Sequence, residues 1–366
     1  AGATGGDASF DAGGRLMIPG LVEAHTHLDK SFWGMGWHKH TAGPALIDKI
    51  ETERRNRREF GIDANRQSGR LVAQMVKLGT THIRSHVDVD TEVGLAGIEG
   101  VMAMRERLKD VIDVEIVAFA QSGMLIRPGT LELLDQAMAM GADVVGGLDP
   151  CTLDRDPKGH LDAIFGLAET YGRPLDIHLH ERGEVGAFSM ELIIERTRAL
   201  GMAGQVVVSH AFCLGSPDRD LVEPLITQLA ALDIGIMTTG SASRPVPAIK
   251  RLLAAGIRVC SGSDGIRDTW GPYGTADMLE RAMLIGLRNN FRRDEDVALA
   301  FHACTQGGAD VMRIADYGLA VGKAGDMVVV AGEVITHAIV AHPPRRLVVK
   351  CGRVVARDGV CLKPAP

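Results

Sequence analysis

Polar residues that could do chemistry recur where short apolar runs end: His25, His27, Gln121, His178, His180, Glu181, His210 and Asp264. Side chains two apart on a strand share a face, so His25 and His27 aim at one point while Ala24 and Thr26 face an enclosing layer. Two imidazoles at that spacing suit one metal ion, although a hydrogen-bonded structural pair has the same pattern. A hydrolytic centre would need one or two more neutral imidazoles or a carboxylate, with one coordination position left for water. His178 and Asp264 are the candidates, and their arrival from separate strand ends favours the metal reading.

The elements that must position these residues alternate short β-rich runs with longer helical patterns, which predicts stacked βα units and a parallel sheet. Strands are predicted at 16–26, 80–88, 112–120, 143–148, 174–180, 205–210, 233–238 and 257–262. The intervening helices show 3.6-residue apolar spacing, as in Leu131, Leu134 and Met138 or Leu221, Leu225 and Leu229, and several stop at glycine: Gly79, Gly141, Gly172, Gly201 and Gly256. This order fits a (β/α)8 TIM barrel whose working face is the carboxyl end of the strands, with a doubly wound open sheet as the alternative. After a helical stretch at 275–312, strands at 327–330, 346–350 and 353–359, with a hairpin turn at Cys351-Gly352, predict a small appended β-domain formed by the chain termini. Residues 1–15 would be its N-terminal part, incomplete as it stands, 16–315 the barrel and 316–366 its C-terminal part. The Gly-rich 1–14 segment is the candidate for its other edge.

The composition narrows the function class. The chain has 366 residues, 46% hydrophobic and 23% charged, which excludes disorder and collagen-like structure. No basic-then-apolar leader and no run of 18 apolar residues occurs, so neither secretion nor a membrane partner is signalled. With 40 Lys plus Arg against 46 Asp plus Glu, net charge -6, no cationic field exists to collect nucleic acid. Six scattered cysteines without a C-x-x-C pair read as a reducing cytoplasm with no disulfide framework. The expected partner is a small molecule, and a homo-oligomer is left open.

The run Pro19-Gly-Leu-Val-Glu-Ala-His25-Thr-His27-Leu-Asp29 resembles the opening motif of the amidohydrolase superfamily. The segments 80–90, 117–123, 143–150, 176–181, 207–210 and 263–278 are similar, in order, to cytosine deaminases and N-isopropylammelide amidohydrolases. The resemblance implies that His25, His27, His178 and Asp264 hold one divalent metal ion per subunit, Zn2+ or Fe2+. No Lys lies in 143–149 to bridge a second ion. It implies further that His210 and Asp264 orient and deprotonate the attacking water, and that Glu181 shuttles the proton to the ring and the departing amine. Gln121 would read the ring edge through its amide donor and acceptor. Trp270 would line the ring pocket or anchor its loop.

The implied activity is a hydrolytic deamination, with hydroxide generated at the metal releasing ammonia from cytosine or a related, ring-substituted pyrimidine or N-heterocycle. The alternative is removal of an N-alkyl amine from a triazine, and a third reading is a catalytically silent barrel scaffold, against which the retained ligand types argue. Cytosine deaminases carry a second acid after the metal-binding Asp, where this chain has Gly265, so a roomier and less acidic pocket is expected, open to a ring such as 5-methylcytosine. Wording such as His27-Leu-Asp-Lys-Ser-Phe32 is closer to the triazine enzymes, whereas Glu181 matches the cytosine enzymes. His180 is expected behind the ligands, and His86 and Asp88 in buried hydrogen bonds beneath the site. Lys30 is expected to pair with Asp29 or another nearby acid on the loop, and the Arg54-Arg55-Asn56-Arg57-Arg58 cluster to form a salt-bridged helix face.

Overall fold

The computed structural model describes residues 10–363. Its strands are β1 (Leu16–Pro19), β2 (Leu21–Thr26), β3 (Thr80–Asp88), β4 (Asp113–Phe119), β5 (Val144–Leu148), β6 (Leu175–His178), β7 (Val206–Ser209), β8 (Gly235–Thr238), β9 (Val259–Ser261), β10 (Met327–Val330), β11 (Arg345–Lys350), β12 (Arg353–Arg357) and β13 (Val360–Cys361). From β2 to β9 each strand lies parallel to the next in chain order, with helices between them. Beyond β9 the chain returns to β2, where Asp264 N donates to His25 O at 2.9 Å and a parallel bridge joins Thr26 to Asp264. That seam makes the sheet a (β/α)8 barrel rather than an open doubly wound sheet.

The strand expected at 16–26 divides at Gly20. A Cβ there would lie 2.2 Å from Thr81 Oγ1, so only glycine lets the chain pass this close to β3. Across that residue the pairing changes sheets, for Gly20 N donates to Asp326 O and Leu21 N to Gly79 O. β1 therefore joins the second sheet, whose order is β1-β10-β11-β12-β13, all antiparallel. Residues 16–19 supply the edge expected from 1–14, of which 1–9 lie outside the described residues. The predicted turn at Cys351-Gly352 joins β11 to β12, with φ of 48° and 73° at its two residues, the handedness that matches strand twist.

The helices obey their local signals. Asp63 caps the helix Ala64–Lys77 by accepting from Arg66 N at 3.0 Å, and that helix buries Leu71, Val72, Met75 and Val76 on the barrel side. Asp218 caps Arg219–Ala231 in the same way, burying Val222, Leu225 and Leu229, while Leu221 is only half-buried. The stretch expected to be helical after 275 contains Met278–Arg288, Asp294–Ala303 and Gln306–Met312.

The barrel interior carries charge below the site. Arg84 on β3 donates to Asp176 Oδ2 on β6 at 2.9 Å and to Glu115 Oε2 at 2.5 Å, and since β3 and β6 are not neighbours the first contact crosses the interior. Asp176 is 1% exposed, and although burial opposes its charge, His86 and Arg84 hold its carboxyl at about 2. Removing the guanidinium would strand that carboxylate, so Arg84→Met is expected to cost about 3–5 kcal/mol. Urea denaturation of both proteins checks this, and a loss under about 1 kcal/mol would contradict it.

Candidate active site

The strands bring their last residues to one end. His25 lies near the end of β2 and His27 directly after it, His178 ends β6, His210 follows β7 and Asp264 follows β9. The His25 ring centroid lies 4.6 Å from His178, 5.0 Å from His210 and 5.6 Å from His27. Asp264 Oδ1 stands 3.2 Å from His27 Nε2 and 3.8 Å from His25 Nε2. His210 and Asp264 have φ of 69° and 64°, left-handed conformations that a non-glycine residue adopts at a cost repaid elsewhere in the fold.

His25 Nε2 and both ring nitrogens of His178 and of His210 are buried without a hydrogen-bond partner. Orphaned imidazole nitrogens converging on one point are costly unless something else binds them, so these residues fit a divalent cation. Burial first, and neighbouring imidazoles second, hold His25 and His178 well below the usual histidine range. Burial and His180 bring His210 down to about 3. Burial works against the Asp264 carboxylate, but His27 and His210 keep it ionised, well below its ordinary value. Neutral imidazoles and an ionised carboxylate are the forms that ligate metal. His86, expected in buried hydrogen bonds beneath the site, packs against these rings, 4.1 Å from His25, with its Nε2 3.5 Å from Asp176 Oδ1 below them.

One hydroxyl sets the tautomer of His25. Ser209 Oγ donates to Asp176 Oδ1 at 2.6 Å, so it accepts from His25 Nδ1 at 3.1 Å and leaves the Nε2 lone pair facing the cluster. Ser209→Ala is expected to weaken metal affinity about 10–100-fold. Competition with a metallochromic chelator checks this, and unchanged affinity would remove the hydroxyl from the account.

A cavity of about 590 Å³ opens over the cluster, lined by His27, Lys30, Gln121, His178, His180, Asp264, Asp268 and Trp270, with Leu284, Leu287 and Ala242 on an apolar flank. The Gln121 side chain finds no protein partner among the described residues and is free for a ligand. Trp270 does both jobs allowed to it. It lines the cavity and packs against Ile50, Phe119, Leu148 and Leu153, with Lys30 Nζ and Lys49 Nζ each 5.4 Å from its ring centroid.

His180 is where the structure departs most from expectation. It lies in the cavity wall, stacks on His210 at 4.4 Å, and its Nδ1 pairs with Asp149 Oδ2 at 2.8 Å. Burial lowers its basicity, yet Asp149 overcomes this and raises it above the ordinary histidine value. Asp149, at the carboxyl end of β5 with φ 39°, was missed in the sequence, although an acid directly after a predicted strand was a readable signal. Glu181 is absent from the cavity lining. Its Oε1 accepts from Thr152 N at 2.6 Å and Thr152 Oγ1 at 2.9 Å, and its Oε2 accepts from Ser189 Oγ.

Other expectations change too. The space beside Gly265 is not open, because the Asp268 carboxylate occupies it. The arginines of 54–58 are salt-bridged as expected, but Arg57 makes its pairs inward, to Asp29 Oδ2 and Asp88 Oδ2, both at 2.8 Å, and Glu53 is buried. Lys30 pairs with Glu53 and Asp88 at 3.2 Å rather than with Asp29. A buried ammonium needs such partners, and the helix Leu46–Glu59 supplies one of them.

The amidohydrolase family model matches residues 61–356. The chain belongs to the amidohydrolase family. It is 34% identical over 359 residues to the N-isopropylammelide isopropyl amidohydrolase of Pseudomonas sp. (strain ADP), covering 96% of this chain and 88% of that protein. The crystal structure of N-isopropylammelide isopropylaminohydrolase from Burkholderia multivorans matches with TM-score 0.93 and 48% identity over 96% of this chain and 89% of that one. The 5-methylcytosine deaminase of Klebsiella pneumoniae, liganded with 5-fluorocytosine, matches with TM-score 0.84 and 29% identity over 98% and 90%. This amidohydrolase is thus a hydrolytic deaminase or aminohydrolase of C–N bonds. No helix among its described residues is long and apolar enough to cross a membrane.

Proposed function

We propose that the enzyme hydrolyses the bond between an exocyclic, N-alkylated amine and an electron-poor triazine-type ring, leaving an oxo ring and a free alkylamine. The observation that carries this reading is the wall position of His180, backed by Asp149, while both oxygens of Glu181 are occupied by Thr152 and Ser189 outside the lining. The likeness to N-isopropylammelide hydrolases supports it, and the Leu284 and Leu287 flank suits an alkyl group. A divalent cation held by His25, His27, His178 and Asp264 would supply a Lewis acid and a water that ionises near neutral pH. Around it, Gln121 and Trp270 orient the ring, and His210 and Asp264 position the attacking water and take its proton. The amine cannot leave as an anion, so His180 delivers a proton to it, and Asp149 stabilises the imidazolium before that transfer.

A second reading, deamination of cytosine or 5-methylcytosine, is favoured by the identity of residue 181 as Glu and by the likeness to 5-methylcytosine deaminase. Mass spectrometry of products from N-isopropylammelide, cytosine and 5-methylcytosine, with alkylamine and ammonia assayed together, separates the two. Isopropylamine release with the pyrimidines left intact is expected. Ammonia from the pyrimidines, with the alkylated ring untouched, would contradict the proposal.

A further inference from the structure

The position after Asp264 is Gly265, yet the pocket there is filled by a carboxylate reaching back from three residues further along. A Cβ at 265 would meet Asp268 Oδ2 at 2.0 Å and Asp268 Cγ at 2.9 Å, and Asp268 supplies all three nearest atoms. Gly265 does not lie in the left-handed region, so its backbone would tolerate a side chain, and the Asp268 carboxylate stands where that side chain would go. Asp268 is 3% exposed and lines the cavity together with Gln121, Lys30 and Trp270. Its Oδ1 accepts from Trp270 N at 2.8 Å and Gly271 N at 3.2 Å, and its backbone O accepts from His40 Nε2 at 2.9 Å. These bonds fix the carboxylate, while Oδ2 accepts no hydrogen bond from any described residue.

We infer that Asp268 Oδ2 is a specificity-determining acceptor that takes a ring N–H of the substrate, and that Gly265 exists to make room for it. This rests on the N-heterocycle reading above and narrows it to rings that carry an N–H. A ring N-methylated at that edge would press a methyl against a desolvated carboxylate left without a donor, the kind of mismatch that a polar pocket rejects strongly. A role as a loop staple alone would use Oδ1 and leave Oδ2 without consequence.

The test is calorimetric binding of cyanuric acid and its N,N′,N″-trimethyl derivative to the metal-loaded enzyme, in mildly acidic buffer that keeps the first ring neutral. The native enzyme is expected to prefer cyanuric acid about tenfold or more. Asp268→Asn keeps a carbonyl oxygen for the two backbone donors, which fixes the amide so that its NH2 replaces Oδ2. It is expected to keep its metal and lose the preference, and Gly265→Ala, which displaces Oδ2, is expected to do the same. A preference retained by Asp268→Asn would overturn this inference and leave the heterocycle reading standing. If the native enzyme binds neither ring, the heterocycle reading fails, and this inference with it.

Discussion

Dialysis against a strong chelator is expected to lower turnover by at least about a thousandfold, with recovery on adding back Zn2+ or Fe2+. The reason is the number of buried nitrogens with nothing to bind. His25 Nε2 and the ring nitrogens of His178 and His210 make no hydrogen bond among the described residues, and burial together with mutual repulsion keeps those imidazoles neutral. Without a cation the cluster is a set of desolvated acceptors around one carboxylate, with nothing to acidify water. Asp264→Ala is expected to show the same loss, with metal content well below one ion per chain by elemental analysis. Full turnover in a chelated, metal-free sample would contradict the assignment.

His180→Asn is expected to lower kcat about 10²–10⁴-fold while metal content stays unchanged. The amide nitrogen of Asn can stand where Nδ1 donates to Asp149, so the wall keeps its hydrogen bond while the rest of the ring, with Nε2, is lost. The effect should appear in kcat rather than KM, because the proton is needed only as the C–N bond breaks. An activated substrate whose leaving group departs without protonation should be spared, a result that a merely structural role for His180 would not give.

Most of the barrel was legible from periodicity and strand-end chemistry. The alternation of β-rich and helical runs requires a parallel sheet, and the polar residues ending those runs mark its working face. The division at Gly20 was hidden because it depends on the close approach of Thr81, some sixty residues away, which no local pattern reports. The inward turn of Arg57 and Glu53 was hidden likewise, since an alternating charge run reads the same whether its partners are water or the buried acids Asp29 and Asp88. In the site, His25, His27, His178, His210 and Asp264 come together as their spacing and the family likeness implied. The distinction between His180 and Glu181 was not readable, because adjacent residues leaving a strand can exchange faces with one turn of the backbone. Here Asp149 takes both of their N–H groups, at 2.6 and 3.2 Å, and that clamp decides which side chain faces the cavity.

The most direct test of the account is the steady-state kcat of Glu181→Gln on N-isopropylammelide. Glutamine retains an acceptor for Thr152 and a polar group for Ser189, so only the capacity to carry a proton is removed. The account predicts a kcat within about threefold of the native enzyme with metal content unchanged, because the proton passes through His180. A fall of about a hundredfold or more in a fully metallated, folded variant would contradict it and return the shuttle to Glu181.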